Sequence, residues 1–188
     1  MSAAISLLFV VSPKSSSDSQ VTKMEIHPPR QAAVSSGATY SPPVGLAIAK
    51  LSIDTLVKPV GLAADNSMDI DKNDTVNTAW YNLGPKPGEA GSAVIAGHYG
   101  WKEGRGSVFN NLHTLQKGDV ISVTNEQGAI IHFIVRETRR YSFDADTTEV
   151  FRSNDGIAHL NLITCDGAWD QSRQTYKDRL VVFSDMQK

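Results

Sequence analysis

Three side chains in this sequence have the chemistry of a nucleophilic site, and each lies at one end of an apolar run of strand length. Cys165, the only cysteine among 188 residues, follows HLNLIT, and His98 follows SAVIAG. Arg179 opens the last run, RLVVFSD. A thiolate attacks a carbonyl carbon, an imidazole exchanges protons near neutral pH, and a guanidinium holds an oxygen with a rigid fork of donors. Together the three residue types are compatible with a nucleophilic cysteine site.

Each of these residues also has a plainer interpretation when it is considered by itself. A free cysteine such as Cys165 is more commonly a small buried hydrophobe. His98 can be a strand-end histidine bonded to a carbonyl, and Arg179 can be a surface arginine paired with Asp178 or Asp166. The position of one residue does not decide between the two interpretations.

The remaining histidines do not predict a metal or cofactor site. His132 and His159 are single polar positions within strands, where solvated faces are expected, and His113 lies in a predicted short helix. No pair of histidines has metal-ligand spacing, so we predict no metal ligand and no cofactor. Calcium dependence stays open, because the acidic residues of predicted loops show no ligand pattern: Glu137, Asp144 and Asp146.

Composition limits the class of protein. The formal net charge of −2 provides no field that attracts nucleic acid or an anionic membrane surface. The single cysteine excludes an internal disulfide framework. The hydrophobic fraction of 40% is ordinary for a globular protein. The length therefore predicts one domain of about 130–150 residues with a tail.

The first 43 residues are predicted to be a separate, disordered segment. An apolar run of seven residues (5–11) is followed by a linker rich in Ser, Pro, Ala and Gln that reaches Pro43. The run is shorter than the roughly 20 residues that cross a membrane. It is either the clipped end of a signal anchor or an apolar tag, and the sequence leaves both open. The folded domain is predicted over residues 44–188.

That domain consists of eight apolar runs of strand length, separated by Gly, Asn, Asp and Pro. β-Branched residues are frequent, and no run keeps helical periodicity over three turns. Short helices are predicted at residues 108–114 and 147–151, and residues 125–128 (NEQG) predict a hairpin. The pattern predicts a mostly β fold, either a barrel or a sandwich.

The order and spacing of these motifs resemble the sortase family. The histidine of SAVIAGH is followed 67 residues later (98 to 165) by the cysteine of LNLITC, and then by YKDRLVVF. Residues 76–81 (VNTAWY) and 87–98 (PGEAGSAVIAGH) look like the same family's approach to the histidine strand. The likeness covers residues 44–186. The AWY, PGE and AGH pattern is most similar to class F, with classes D and E as alternatives.

This resemblance implies a closed eight-stranded sortase-type β-barrel with short helices. It also implies Cys165 as the nucleophile, His98 as its proton partner and Arg179 as the electrostatic support. Segment 166–178 is predicted to form a polar loop over the active site. The substrate contacts that the resemblance implies are Thr164, Trp169 and Ala96.

The resemblance further implies an enzyme that cleaves an LPXTG-like sorting signal of surface proteins through a thioacyl intermediate. The acyl group passes to an amine, such as a cell-wall precursor or a pilin lysine. Such an enzyme is extracytoplasmic, anchored in the cell membrane and facing the cell wall.

Three alternatives to this function stay open. The first is a cysteine hydrolase that uses the same residues with water as the acceptor. The second is an L,D-transpeptidase, disfavoured because Gly167 stands where that family's motif has arginine. The third is a non-catalytic β-barrel binding module.

Overall fold

The computed structural model of the protein describes residues 40–102 and 104–188. The predicted apolar run and nearly all of the predicted linker lie outside these residues. Within the described part of the chain, no helix is long and apolar enough to span a membrane. The first strand begins at Pro43, one residue before the predicted start of the domain.

The described residues form ten strands and three short helical segments. The main elements are β1 (Pro43–Ile48), β2 (Ile53–Val60), β3 (Thr78–Tyr81), β4 (Gly91–Gly97), β5 (Trp101–Lys102), β6 (Arg105–Gly106), β7 (Val120–Asn125), β8 (Ile130–Ser142), α1 (Thr148–Phe151), β9 (Ala158–Asp170) and β10 (Thr175–Met186). Two 3-10 helical turns span Ala49–Leu51 and Leu112–Thr114. Both predicted short helices are confirmed, the first over its second half only. The predicted hairpin joins β7 to β8.

Eight of the strands close into a barrel in the order β1-β2-β3-β4-β9-β10-β8-β7. The closing contact is the antiparallel pairing of β7 with β1. Pairs β2–β3 and β4–β9 are parallel, and the other neighbours in the barrel are antiparallel. The predicted closed eight-stranded barrel is therefore confirmed, since a sandwich would leave strand edges unpaired.

Alternation along the strands places one row of side chains inside the barrel and one on its outer face. On β9, Leu160 and Leu162 are fully buried in the interior core, whereas Ile163 and Cys165 are only partly buried. Burying each leucine stabilises the fold by about 1.5–3 kcal/mol. The outer face of β4, β9, β10 and β8 carries a second, smaller apolar cluster: Val94, Val150, Val181 and Phe183. This outer face also holds the candidate site.

Gly97, the last residue of β4, lies against the ring of Phe109. A Cβ added at residue 97 would lie 2.5 Å from Phe109 Cδ2, and this ring is fully buried in the interior core. We expect Gly97→Ala to lower the free energy of unfolding in urea by about 1–3 kcal/mol. Gly61→Ala is the matched control, because nothing lies within 4 Å of an added Cβ there. Equal stability of the two variants would contradict this packing.

His159 is buried, and the prediction of a solvated position for it is wrong. The residue is 4% exposed. Its Nδ1 lies 2.7 Å from Asp185 Oδ1, and its Nε2 lies 3.0 Å from Asp155 Oδ2. Each ring nitrogen thus has a carboxylate partner within the protein, in place of the water that burial removes. His132 is exposed, as predicted.

Candidate active site

Cys165 and Arg179 lie directly opposite each other on neighbouring strands. Arg179 of β10 pairs with Cys165 of β9 on one side and with Tyr141 of β8 on the other. Residues that face each other in adjacent strands project from the same side of the sheet. The thiol and the guanidinium therefore share the outer face of the barrel.

His98, at the end of β4, lies in one row with Cys165 and Arg179 on the outer face. Strands β4 and β9 are parallel, and Ala96 pairs with Ile163, an offset of 67 residues (163 − 96). His98 directly follows Gly97, the last residue of β4. Two residues beyond the pair Ala96–Ile163, the same offset places His98 beside Cys165. Two steps along a strand return to the same face. The register thus aligns histidine, cysteine and arginine across three adjacent strands.

Neither Cys165 nor Arg179 lies at a strand end, and the prediction of a loop over the site is wrong. Strand β9 continues past Cys165 to Asp170, which pairs with Thr175 at the start of β10. Segment 166–178 is a β-hairpin that extends the two strands beyond the barrel. Asp166 pairs with Asp178, but the register shifts just beyond it, and Gly167 has a φ of +77°. The turn signal of Asp166-Gly167 therefore marks a β-bulge within the strand.

A cavity of about 640 Å³ opens at this row of residues. Its volume lies in the range of ligand-binding pockets. His98, Cys165 and Arg179 all line the active-site cavity, together with Thr164 and Ala96. Its remaining wall is mainly apolar and includes side chains from the β2–β3 connection, β3, the β8–β9 connection and β9: Leu62, Met68, Ile70, Tyr81, Phe143, Phe151 and Ile163.

Two opposing effects act on the Cys165 thiol. Burial raises the pKa of the thiol above its ordinary value, and the positive charge of Arg179 lowers it by a smaller amount. The net direction is upwards, so the thiol is mainly protonated at neutral pH. A thiolate is the reactive form of cysteine. Formation of the thiolate at this site therefore depends on the cation and on a proton acceptor.

Arg179 is held by its own strand and has no carboxylate partner among the residues that the structure describes. Its Nη1 donates to the backbone carbonyls of Tyr176 (3.0 Å) and Asp178 (2.9 Å), and its Nη2 lies 3.2 Å from Thr175 Oγ1. The guanidinium also lies over the ring of Phe143, 4.8 Å from its centroid. The cation is thus fixed in orientation, and its charge is not neutralised.

The plainer interpretation of Arg179, a surface ion pair with Asp178 or Asp166, is wrong. Asp166 is 8% exposed, and its carboxylate instead accepts a hydrogen bond from Arg140 Nε. Because this carboxylate pairs with Arg140, it does not neutralise the charge of Arg179, which lines the active-site cavity.

His98 is fixed by a backbone carbonyl. Its Nε2 lies 2.9 Å from the carbonyl oxygen of Asp71, and since a carbonyl only accepts, Nε2 carries the hydrogen. The carbonyl contact that the plainer interpretation of His98 predicts is therefore present. His98 nevertheless also lines the active-site cavity. In this orientation Nδ1 is the nitrogen that is left to exchange a proton.

Thr164 fastens the two strands that carry the histidine and the cysteine. The residue is 4% exposed, and its hydroxyl donates to the carbonyl of Gly97 across 2.7 Å. Gly97 and Thr164 immediately precede His98 and Cys165. The hydrogen bond thus sets the spacing of β4 and β9 one residue before the row of candidate residues.

We expect Thr164→Val to leave the Gly97 carbonyl without its partner and to destabilise the fold by about 1–3 kcal/mol. It should also lower kcat more than it raises KM, because His98 and Cys165 lose their relative position. Urea unfolding and steady-state kinetics measure the two effects. Thr164→Ser keeps the hydroxyl and should restore both. A valine variant with unchanged stability and kcat would contradict this function of the hydroxyl.

The two other predicted substrate contacts are separated in the structure. Ala96 is 3% exposed and lines the active-site cavity. Trp169 is 48% exposed and lies on the hairpin beyond Cys165, outside the cavity lining. Its ring packs edge-on against Tyr176, which packs edge-on against Tyr99, both at 5.1 Å between centroids. Burial raises the pKa of the Tyr176 hydroxyl, with Tyr99 and Cys165 as smaller causes.

Sequence reasoning missed four residues that surround the site. They are the Asp71 carbonyl at His98, the Phe143 ring at Arg179, Arg140 at Asp166, and Tyr176 beside Cys165. Only Tyr176 had a signal, since it stands three residues before the arginine in YKDRLVVF. The other three act through the backbone or through pairing that no local pattern records.

No group of three or more His, Cys, Asp or Glu residues within 40–102 and 104–188 is placed to hold a metal ion. The acidic residues considered for calcium have other partners. Glu137 pairs with Arg139, Asp144 pairs with Arg173, and Asp146 accepts hydrogen bonds from Thr148.

Comparison with known proteins gives the family. The sortase domain model matches residues 46–187. A sortase D5 transpeptidase from Clostridium perfringens is 24% identical, with coverage of 78% of this chain and 79% of that one and a TM-score of 0.58. Sortase C-1 from Actinomyces oris is 21% identical, with coverage of 78% and 75% and a TM-score of 0.61. A lid mutant of sortase A from Corynebacterium diphtheriae is 18% identical, with coverage of 81% and 73% and a TM-score of 0.61.

A search of curated proteins found no match. At these identities the solved structures support the fold alone, and they belong to several sortase classes. The domain model, in contrast, spans well over half of the sequence and includes every candidate residue. The chain therefore belongs to the sortase family, whose members are cysteine transpeptidases.

Proposed function

We propose that this sortase cleaves an LPXTG-like sorting signal and transfers the acyl part to an amine. The observation that carries the proposal is the alignment of His98, Cys165 and Arg179 along one wall of an apolar cavity. Cys165 thiolate attacks the threonine carbonyl of the signal, the peptide C–N bond breaks, and His98 donates a proton to the departing amine. An acceptor amine then attacks the thioester, gives up its proton to His98 and releases the thiolate.

The shape and polarity of the cavity support an apolar acyl side of the substrate. The side chains that extend from the row of candidate residues are mostly hydrophobic, with Leu62, Met68 and Phe151 among them. A leucine and a proline upstream of the scissile bond would bury their surface there at about 25 cal/mol per Å². The scissile carbonyl would then reach Cys165 at the rim of the cavity.

Arg179 is proposed to stabilise the negative charge that develops on the carbonyl oxygen. Its guanidinium is held in place by backbone acceptors and carries no neutralising carboxylate among the described residues. Donors that are oriented before the reaction begins stabilise a tetrahedral intermediate by about 3–4 kcal/mol. Thr164 and Ala96 are proposed to shape the floor of the same cavity.

Trp169 is proposed to contact the amine side of the reaction. It follows Cys165 on the hairpin, whereas the β9 residues that line the cavity are Ile163, Thr164 and Cys165. The leaving and incoming amines must approach from the side that the acyl chain does not occupy. The exposed indole, supported by the ring of Tyr176, provides a surface there.

We expect Trp169→Ala to raise KM for the acceptor amine about three- to tenfold, while kcat/KM for hydrolysis of the signal peptide stays unchanged. The measurement is the rate of ligation against amine concentration at a fixed peptide concentration. Trp169→Phe should recover most of the effect. Leu83→Ala, another exposed apolar residue (66%), is the control. An unchanged amine KM in Trp169→Ala would contradict the assignment.

The finer classification rests on the sequence motifs. The AWY, PGE and AGH pattern supports a class F-like sortase, with class D or E as the alternative. By its family we propose an extracytoplasmic enzyme, anchored in the cell membrane and facing the cell wall. Its partners would be surface proteins that bear the sorting signal and an acceptor such as a cell-wall precursor or a pilin lysine.

A peptide library that varies the sorting signal, incubated with and without a short glycine peptide as amine donor, tests the proposal. Ligated product supports the transpeptidase. Hydrolysed product alone would favour the cysteine hydrolase instead. Binding without cleavage would favour the binding module. If no sorting-type peptide is cut, the proposed substrate class is wrong.

A further inference from the structure

A second cavity, which we call the polar cavity, lies on the same outer face of the barrel as the active site. Its volume is about 190 Å³. Asn161 and His159 of β9 and Ser92 of β4 line it, all three at most 4% exposed, and Arg152 stands beyond α1. Asn161 precedes Cys165 by four residues, roughly 13 Å along the strand. The polar cavity is therefore separate from the active-site cavity, although both use strands β4 and β9.

Most charged groups of the polar cavity are already paired within the protein. Arg136 Nη1 lies 2.7 Å from Asp185 Oδ1, and Arg139 Nη1 lies 3.0 Å from Glu149 Oε2. His159 has a carboxylate partner at each ring nitrogen. These groups form a polar wall of the cavity, and each of them already has a charged partner within the protein.

Asn161 has an unused hydrogen-bond acceptor. Its Nδ2 donates to the carbonyl of Val150 in α1 across 2.6 Å, and this contact fixes which end of the amide faces the helix. Its Oδ1 is buried and has no hydrogen-bond partner among the described residues. Buried polar atoms are nearly always paired, so a lone acceptor on a residue that lines a cavity indicates a donor from outside the chain, either a water molecule or a ligand N–H.

Arg152 has an unused positive charge. It follows α1, it is exposed, and its guanidinium has no hydrogen bond or ion pair within the described part of the chain. A free guanidinium at the mouth of a cavity prefers a carboxylate, which it can bind through two parallel hydrogen bonds. The cavity thus offers one strong cationic donor and one buried neutral acceptor.

We propose that the polar cavity binds the carboxylate of a small ligand that has an N–H group next to it, such as the C-terminal residue of a peptide. The carboxylate would bind Arg152, and the N–H would donate to Asn161 Oδ1. The volume equals that of about six water molecules at roughly 30 Å³ each, which suits a ligand of amino-acid size. This inference is independent of the proposed function.

Occupancy of the polar cavity would also affect α1. Asn161 holds the Val150 carbonyl, and Phe151, the next residue, lines the active-site cavity. The helix is therefore a wall shared by the two cavities.

An NMR titration with three related compounds tests the proposal. N-Acetylglycine carries both the carboxylate and the N–H, its methyl ester keeps only the N–H, and butyrate keeps only the carboxylate. We expect N-acetylglycine to shift the resonances of Asn161, Ser92 and Arg152 in a saturable manner, and the two analogues to bind at least about tenfold more weakly. Equal binding of all three compounds, or shifts confined to other surfaces, would overturn the proposal.

Two variants locate the site. Arg152→Ala, at an exposed position, should weaken N-acetylglycine binding at least about tenfold, whereas Arg105→Ala, an exposed arginine outside the polar cavity, should leave it unchanged. Asn161→Leu should also abolish binding, and its folding is checked by its NMR spectrum. If Arg152→Ala binds N-acetylglycine as tightly as the wild type, the proposal is wrong, whatever Asn161→Leu does.

Discussion

Replacing Cys165 with alanine is expected to reduce cleavage of a sorting-signal peptide by a factor on the order of 10⁴ to 10⁶, while the barrel stays folded. The thiol is the only nucleophile of its kind in the chain, and it lies in a cavity wall beside His98 and Arg179. Without it no thioacyl-enzyme can form, and direct attack by water has no other activated group to replace it. The measurement is the rate of peptide cleavage at saturating substrate.

The controls for this variant concern folding and binding. Cys165 is only partly buried, so the loss of its sulfur leaves the interior core unchanged. Far-UV circular dichroism and urea unfolding should match the wild type, and the signal peptide should still bind. If Cys165→Ala retains cleavage within about tenfold of the wild type, the thiol is not the nucleophile and another residue performs the reaction.

Replacing Arg179 with alanine is expected to lower kcat/KM about 100- to 1,000-fold and to raise the pKa of the Cys165 thiol further. The two effects have one cause. Burial already raises this pKa, and the Arg179 charge opposes burial by favouring the thiolate. Removing the cation removes the opposing effect, so the thiolate should appear only at higher pH. The rate of alkylation by iodoacetamide against pH reports this shift directly.

Arg179→Lys separates charge from geometry. A lysine keeps the positive charge, so the pH profile of alkylation should return towards that of the wild type. It lacks the planar fork of donors, so peptide cleavage should stay low. Arg173→Ala is the matched control, because Arg173 is an exposed arginine of the same hairpin, paired with Asp144. An alkylation profile that is the same in Arg179→Ala and the wild type would contradict the electrostatic coupling.

The fold was predictable as far as local patterns extend. Alternation and turn residues predicted the strands and both short helices, because side-chain direction repeats every two residues in a strand. The choice between a barrel and a sandwich depended on the pairing of β1 with β7, which are far apart in sequence. No local pattern records such a contact, so the closed barrel came from the family resemblance alone.

The candidate site was likewise predictable only where local patterns extend. Residue type and order predict His98, Cys165 and Arg179, but the register that aligns them is a property of the β4–β9 and β9–β10 pairings. Asp166-Gly167 has the composition of a turn, yet the strand continues through a β-bulge at Gly167, because pairing with β10 resumes at Trp169. His159 was misassigned for a related reason, since one of its two carboxylate partners, Asp185, lies 26 residues away.

The most direct test of the central claim is the intact mass of the enzyme during turnover of a sorting-signal peptide. Cys165 as the nucleophile predicts a covalent adduct that equals the acyl part of the peptide, maps to Cys165 and disappears when an amine is added. Loss of the adduct should coincide with appearance of the ligated product. Peptide turnover without an adduct on Cys165, or with an adduct on another residue, would contradict it.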